Sequence, residues 1–203
     1  MLIYSLPLGS NFEALDVYFW IEVLAVIFGL AYLFFLIQQN VICWIFGIIG
    51  SLLSIYLFYQ SRLYSEAILY SYYVMMGGYG FYMWSRKSED QSSLLLVISE
   101  LKWLYHIVFL FVGSLMAWVM AWFFDTYTNA DKPYLDAFTT IFSFLATYLE
   151  ARKVVSAWLY WIVLNGVTVL LYFSKGLDVY AGLSIVYFIM SFVGYARWKR
   201  SMA

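Results

Sequence analysis

Apolar residues run along this chain in long blocks, each broken by a short polar separator. Seven blocks approach or exceed the roughly 20 residues that an α-helix needs to cross a bilayer. They are Val17–Ile37, Val41–Gln60, Leu63–Trp84, Leu104–Phe124, Tyr134–Ala151, Val155–Ser174 and Leu177–Arg197. Between them lie Gln38-Gln39-Asn40, Ser61-Arg62, Ser85–Ser93, Asp125–Pro133, Arg152-Lys153 and Lys175-Gly176. No separator is long enough for a second domain. The pattern predicts an all-α integral membrane protein, a single transmembrane domain over 1–203 with seven transmembrane helices.

Composition agrees. Of 203 residues 65% are hydrophobic, 23% aromatic and only 11% charged, against about a quarter charged in a soluble domain. In water such a surface would be one apolar patch after another, which excludes a cytosolic enzyme. Eleven basic residues against 12 acidic ones, with no basic run, exclude a nucleic-acid binder. Cys43 is the sole cysteine and His106 the sole histidine, so neither a disulfide framework nor a Cys- or His-based metal site is expected. No cofactor is implied. The first residues carry Glu13 and Asp16 and do not read as a cleaved leader. Arg86, Lys87, Lys102, Arg152, Lys153, Arg197, Lys199 and Arg200 would share one side of the membrane, facing Arg62, Lys132 and Lys175 on the other. Basic residues favour the cytoplasm, so the amino terminus is expected outside and the carboxy terminus inside the cell's inner membrane.

The chain also resembles itself at a displacement of 114 residues. Trp44 meets Trp158, Leu63 meets Leu177, Tyr73 meets Tyr187, and Met76, Gly80 and Trp84 fall on Met190, Gly194 and Trp198 without a gap. Shared apolar composition produces chance Leu and Val matches, but not two Trp pairs, a Tyr pair and a Gly pair in one register. Self-similarity of this kind marks a repeated architecture. The expected plan is 3+1+3: a three-helix repeat over 17–84, a linker helix over 104–124 and a second repeat over 134–197. Three helices end opposite their start, so the linker must cross back for the repeats to run parallel. Parallel repeats are a known transporter plan with the substrate near the midplane.

Polar groups in the spans cost free energy and must face protein or water. On the fifth helix Asp136, Thr139, Thr140, Ser143, Thr147 and Glu150 recur every three or four residues, a single stripe. The sixth shows Trp158, Trp161, Asn165, Thr168 and Tyr172 on one face, and the repeat-related face of the second shows Trp44, Gly47, Ser51, Ser54 and Phe58. One half would supply recognition groups and the other, through Gly47 and Ser51, would leave them room. The third helix adds Glu66, Tyr70 and Tyr73, and the seventh Tyr180, Ser184 and Tyr187. Packing offers a plainer account of each: small residues permit close helix contact, Asn165 bonds a neighbouring helix, and Tyr belongs to the interfacial belt. Glu22, Glu66, Asp136 and Asp178 would gather at the outer ends, while Glu150 lies at the inner end beside Arg152, poised for either a cation or a ligand.

Aromatic faces attract cations and stack on planar rings; Asn, Ser and Thr supply donors and acceptors. The combination suits a small, flat, positively charged heteroaromatic solute. The run Gln39-Asn40-Val41-Ile42-Cys43-Trp44, the helix start Leu63-Tyr64-Ser65-Glu66-Ala67, and Ala151-Arg152-Lys153 followed by Trp158, Trp161 and Asn165 resemble the PnuC family of vitamin transporters. That resemblance implies a fold like that of the SWEET carriers and facilitated diffusion of nicotinamide riboside, or of thiamine in some branches. It also implies a homotrimer and a cytosolic kinase that traps the solute. Both vitamins are cationic heteroaromatics, so the pocket chemistry does not choose between them. Substrate contacts are expected from Trp158, Trp161, Asn165, Thr147, Ser143, Glu150, Trp44, Ser51, Glu66, Tyr70 and Tyr73. Among rival classes, a retinal photoreceptor would need a mid-span Lys in the last helix, which has none. An intramembrane enzyme would need partners for Cys43 or His106. A sugar carrier and a non-transporting scaffold remain alternatives, the latter at odds with the axial polar stripes.

Overall fold

A computed structural model describes residues 12–60, 64–86, 96–128, 132–174 and 178–202. The separators Ser61-Arg62 and Lys175-Gly176, and all of Ser85–Ser93 beyond Arg86, lie outside them. Seven helices follow in order: α1 (Phe12–Ile37), α2 (Ile42–Gln60), α3 (Tyr64–Ser85), α4 (Trp103–Tyr127), α5 (Pro133–Ala151), α6 (Ala157–Ser174) and α7 (Asp178–Arg200). Six of the seven agree with the expected spans to within three residues at either end, and α1 begins five residues early. Pro133 opens α5, where its missing N–H costs nothing. Among the described residues, four segments are long and apolar enough to cross a membrane on length and composition: Val17–Ile37, Ile42–Gln60, Trp103–Tyr127 and Ala181–Arg200. Ala157–Leu170 is a shorter apolar helix. In α5 the polar stripe itself dilutes the apolar signal.

Two compact units divide the chain, one up to Leu96 and the other from Val97. In the first, α2 packs against both α1 and α3. Gly50 brings α2 close to α1, since a Cβ there would lie 3.2 Å from Phe28 Cβ. In the second, α5 packs on α4 and α6, and α6 on α7. The buried stripe Gly113, Ala117, Ala121 lies along α4. Small residues let helices approach in a membrane, where close packing replaces the hydrophobic drive. Phe142 of α5 occupies the space beside Gly113. Most other α4 side chains are exposed and apolar, among them Trp103, Phe111 and Trp118, as a helix facing lipid requires.

The two units repeat in atomic detail. After α1, Gln39 adopts φ 59°; after α5, Lys153 adopts φ 51°. Each sits 114 residues from the other, and each closes the same helix-ending motif. The Gln39 N–H donates to Leu36 O and the Asn40 N–H to Phe35 O, while Lys153 donates to Glu150 O and Val154 to Leu149 O. These are the paired bonds that a left-handed residue past a helix end allows. The next helix then starts alike: Cys43 N donates to Asn40 O and Trp44 N to Val41 O, matched by Ala157 to Val154 and Trp158 to Val155. Gly80 and Gly194 complete the correspondence, each lying under a tryptophan ring.

The second unit carries one further element. The stretch before α4 lies across the α5–α6 turn as a parallel bridge between Ser99 and Val154. Ser99 N donates to Lys153 O and Val155 N to Ser99 O, both at 3.0 Å, with Ile98 buried beneath. Glu100 is ion-paired with Lys199 at the end of α7.

Candidate substrate-binding site

The stripe on α5 turns inward. Ser143, Thr147 and Glu150 are buried, Thr139 and Thr140 half-buried, and Asp136, in the first turn, is exposed. Thr147 spends its proton on its own helix, Oγ1 donating to Ser143 O at 2.8 Å. Its oxygen is left as an acceptor. Glu150 keeps only 2% of its surface exposed and stands three residues before Lys153, itself 7% exposed. Two ionisable residues are thus buried where α5 ends and turns into α6. Arg152, the neighbour expected beside Glu150, is exposed.

On α6, Trp161 and Asn165 lie one turn apart on a common face, both half-buried. Trp161 packs against Phe142, Ala146 and Leu164. Its indole Nε1 is fully enclosed and donates to no acceptor among the described residues. An enclosed donor without an acceptor costs about 1–3 kcal/mol. Asn165 Nδ2 donates to Ser191 Oγ on α7 at 3.1 Å, and Ser191 passes its own proton to Tyr187 O at 2.8 Å. The carbonyl oxygen is then the group that Asn165 offers. Tyr187 is half-buried and Ser184 buried on that same face of α7; the side chain of Tyr180 lies outside the description.

Trp158 and Trp44 belong to another layer. Trp158 has 0% and Trp44 2% of its surface exposed. A Cβ built on Gly194 would meet the Trp158 ring at 2.5 Å, and one on Gly80 would meet the Trp44 ring at 2.3 Å. Trp198 closes edge-on against Trp158 at 5.4 Å and 88°, as Trp84 does against Trp44 at 5.4 Å and 87°. Neither buried ring has an open face. The structure thus shows no open face of Trp158 for the solute stacking expected of it; the two rings, whose indole N–H groups also meet no acceptor among the described residues, pack α6 on α7 and α2 on α3.

The room expected beside Gly47 is filled from within. A Cβ there would come 2.9 Å from Tyr32 Cδ2. In the second unit the position of Tyr32 is taken by Ala146 and that of Gly47 by Trp161, which packs against the cluster that holds Ala146. Large and small have traded places between the repeats. Ser51 is buried, and Ser54 donates back to Gly50 O at 2.9 Å. On α3, Glu66, Tyr70 and Tyr73 are half-buried. Tyr70 meets Tyr73 edge-on at 5.3 Å and Phe58 of α2 at 5.1 Å, an aromatic cluster within the first unit. Sequence reading missed Ser191 and Tyr32. Carrying the Tyr180-Ser184-Tyr187 face one turn further reaches Ser191, and the 114-residue register pairs Tyr32 with Ala146.

Residues 19–200 match the family described as nicotinamide mononucleotide transporter. Two relatives carry the name nicotinamide riboside transporter PnuC, one from Escherichia coli K12 and one from Shigella flexneri. Each is 26% identical over 226 aligned positions that take in 98% of this chain and 92% of the relative. A crystal structure of the vitamin B3 transporter PnuC aligns with a TM-score of 0.71 at 23% identity, covering 89% of this chain and 81% of that one. The seven helices, the inward stripe on α5 and the Trp161–Asn165 face thus sit in a chain that belongs to the nicotinamide mononucleotide transporter family, a family of multi-pass membrane carriers rather than enzymes.

Proposed function

We propose that this protein carries nicotinamide riboside across the inner membrane by facilitated diffusion with alternating access. The observation that supports it most is Trp161, half-buried and with an indole N–H that lacks an acceptor, one helical turn from the Asn165 carbonyl; Trp44 and Trp158 carry unsatisfied N–H groups too, but on rings that are sealed in the packing. Together Trp161 and Asn165 offer a donor, an acceptor and an aromatic edge beside half-buried space. A planar cation with an amide and a hydroxylated arm can use all three: its oxygen accepts from Trp161, and its donor bonds Asn165. Thr147 and Ser143 add acceptors on α5, and Glu150 adds negative charge at the inner end. Within the first unit, Ser51 and the Glu66, Tyr70, Tyr73 face of α3 are a separate set of candidate contacts; Trp44 holds α2 to α3 there, as Trp158 holds α6 to α7 in the second unit.

Among the described residues no string of paired buried carboxylates and histidine suggests a proton relay; in this reading uptake runs down the solute gradient and a cytosolic kinase keeps that gradient steep. The amino terminus faces outside, the carboxy terminus the cytoplasm, and the protein assembles as a trimer. Trp161→Phe tests the reading, since it keeps a ring and removes the N–H. Nicotinamide riboside affinity, measured by calorimetry, should fall by about five- to 150-fold, the equivalent of about 1–3 kcal/mol. Unchanged affinity overturns the assignment of Trp161. Binding of thiamine in preference to nicotinamide riboside by the unmodified protein redirects the substrate, and binding of glucose or sucrose alone defeats it.

A further inference from the structure

A cavity of about 280 Å³ lies within the second unit, walled by α4, α5 and α6. It uses none of the residues assigned to the solute. Phe142 and Leu164, both buried, form its floor. Leu159 and Val163, exposed on the outer surface of a membrane helix, form its mouth, so it opens toward lipid. The volume is close to the lower limit for small-molecule sites, roughly 300 Å³.

One end is polar. His106 Nδ1 and Tyr160 OH are 3.1 Å apart. Beside them Ser156 lines the cavity with only 7% of its surface exposed, and its hydroxyl has no partner among the described residues. A buried hydroxyl of this kind calls for an acceptor. His106 and Ser156 stand at the starts of α4 and α6, so the polar end lies where those helices begin. There Lys102, exposed, is the N-cap residue of α4, four residues before His106.

We infer that this cavity binds one acyl chain of an anionic phospholipid. The chain enters between Leu159 and Val163 and lies over Phe142 and Leu164. Its ester carbonyl accepts the Ser156 hydroxyl, and the headgroup phosphate sits beside Lys102. Apolar walls, a lipid-facing mouth, a single buried donor and one cation at the rim match that molecule in order along its length.

Native mass spectrometry of the full-length protein, purified in mild detergent and supplied with dioleoyl phosphatidylglycerol, tests this. The expected result is one tightly held lipid per chain. Val163→Trp, which blocks the mouth, and Ser156→Ala, which removes the donor, should each lower the retained fraction at least fivefold while circular dichroism and elution volume stay unchanged. Should Ser156→Ala fail to fold, Leu159→Trp takes its place. Lys102→Gln should reduce phosphatidylglycerol retention to that of phosphatidylcholine. Equal retention by unmodified protein and Val163→Trp overturns the proposal. So does retention of oleic acid in place of phospholipid, or a smaller oligomer in Val163→Trp with lipid retention intact, which would identify a second copy of the chain as the occupant.

Discussion

Replacing Gly194 by Ala adds one methyl group and puts it 2.5 Å from two carbons of the Trp158 ring and 2.6 Å from a third. Carbon atoms rest about 3.5–4.0 Å apart, so three contacts are about 1 Å too short. The ring has nowhere to retreat, because it is wholly buried and Trp198 stands edge-on behind it. Overpacking of this kind costs about 1–3 kcal/mol. Gly182, on the same helix, has nothing within 4 Å of the added carbon. There the substitution keeps only its helix-propensity gain, about 1 kcal/mol. Gly194→Ala should therefore be less stable than Gly182→Ala by about 1–3 kcal/mol, or roughly 2–4 °C of melting temperature per kcal/mol in a chain of this size. Thermal unfolding in detergent, followed by far-ultraviolet circular dichroism, measures the difference. Combining Gly194→Ala with Trp158→Phe should cost less than the sum of the two single changes, because the smaller ring makes room for the methyl. Equal stability of the two Ala variants, or strict additivity in the pair, would refute the assignment of Trp158 as a packed lock between α6 and α7.

By the repeat, Gly80→Ala should behave like Gly194→Ala and Gly78→Ala, with open space around it, like Gly182→Ala; the same melting series decides. Asn165→Leu should lose its bond to Ser191, a loss of about 0.6 kcal/mol for an average interhelical bond in a membrane, yet abolish nicotinamide riboside uptake into proteoliposomes. Loss of folded protein instead would mean that Asn165 serves packing alone. Gln39→Gly should be neutral or stabilising by about 1 kcal/mol, since the left-handed backbone there penalises any side chain; a melting temperature lowered by several degrees would count against the turn geometry. Glu100→Gln should leave hydrogen-exchange protection of the Val155 amide intact, because that amide is held by Ser99 O rather than by the ion pair.

Helix number, helix limits and the repeat were legible in the chain because each follows from a one-dimensional property. A bilayer sets the length of an apolar run, and a repeated unit leaves the same residue types at one spacing. Even Gln39 and Lys153, which no turn rule singles out, fall in that register. The polar stripe on α5 was legible for the same reason, since helical periodicity puts Ser143, Thr147 and Glu150 on one face wherever that face points.

Partners were not legible. Trp158 and Trp161 are three residues apart and alike in chemistry, each with an indole N–H that meets no acceptor among the described residues, yet the first is sealed under Gly194 and Trp198 while the second stays half-buried. Periodicity places both on one face, and only the packing of α7 separates them. Gly47 read as open space until Tyr32 of α1 was found to fill it, because a missing side chain says nothing about what moves into its place. The linear pattern decided that this protein crosses a membrane in two like halves. Which side chains are spent on holding helices together, and which remain free to meet a solute, was decided only by the three-dimensional contacts, since burial depends on neighbours that lie far away along the chain.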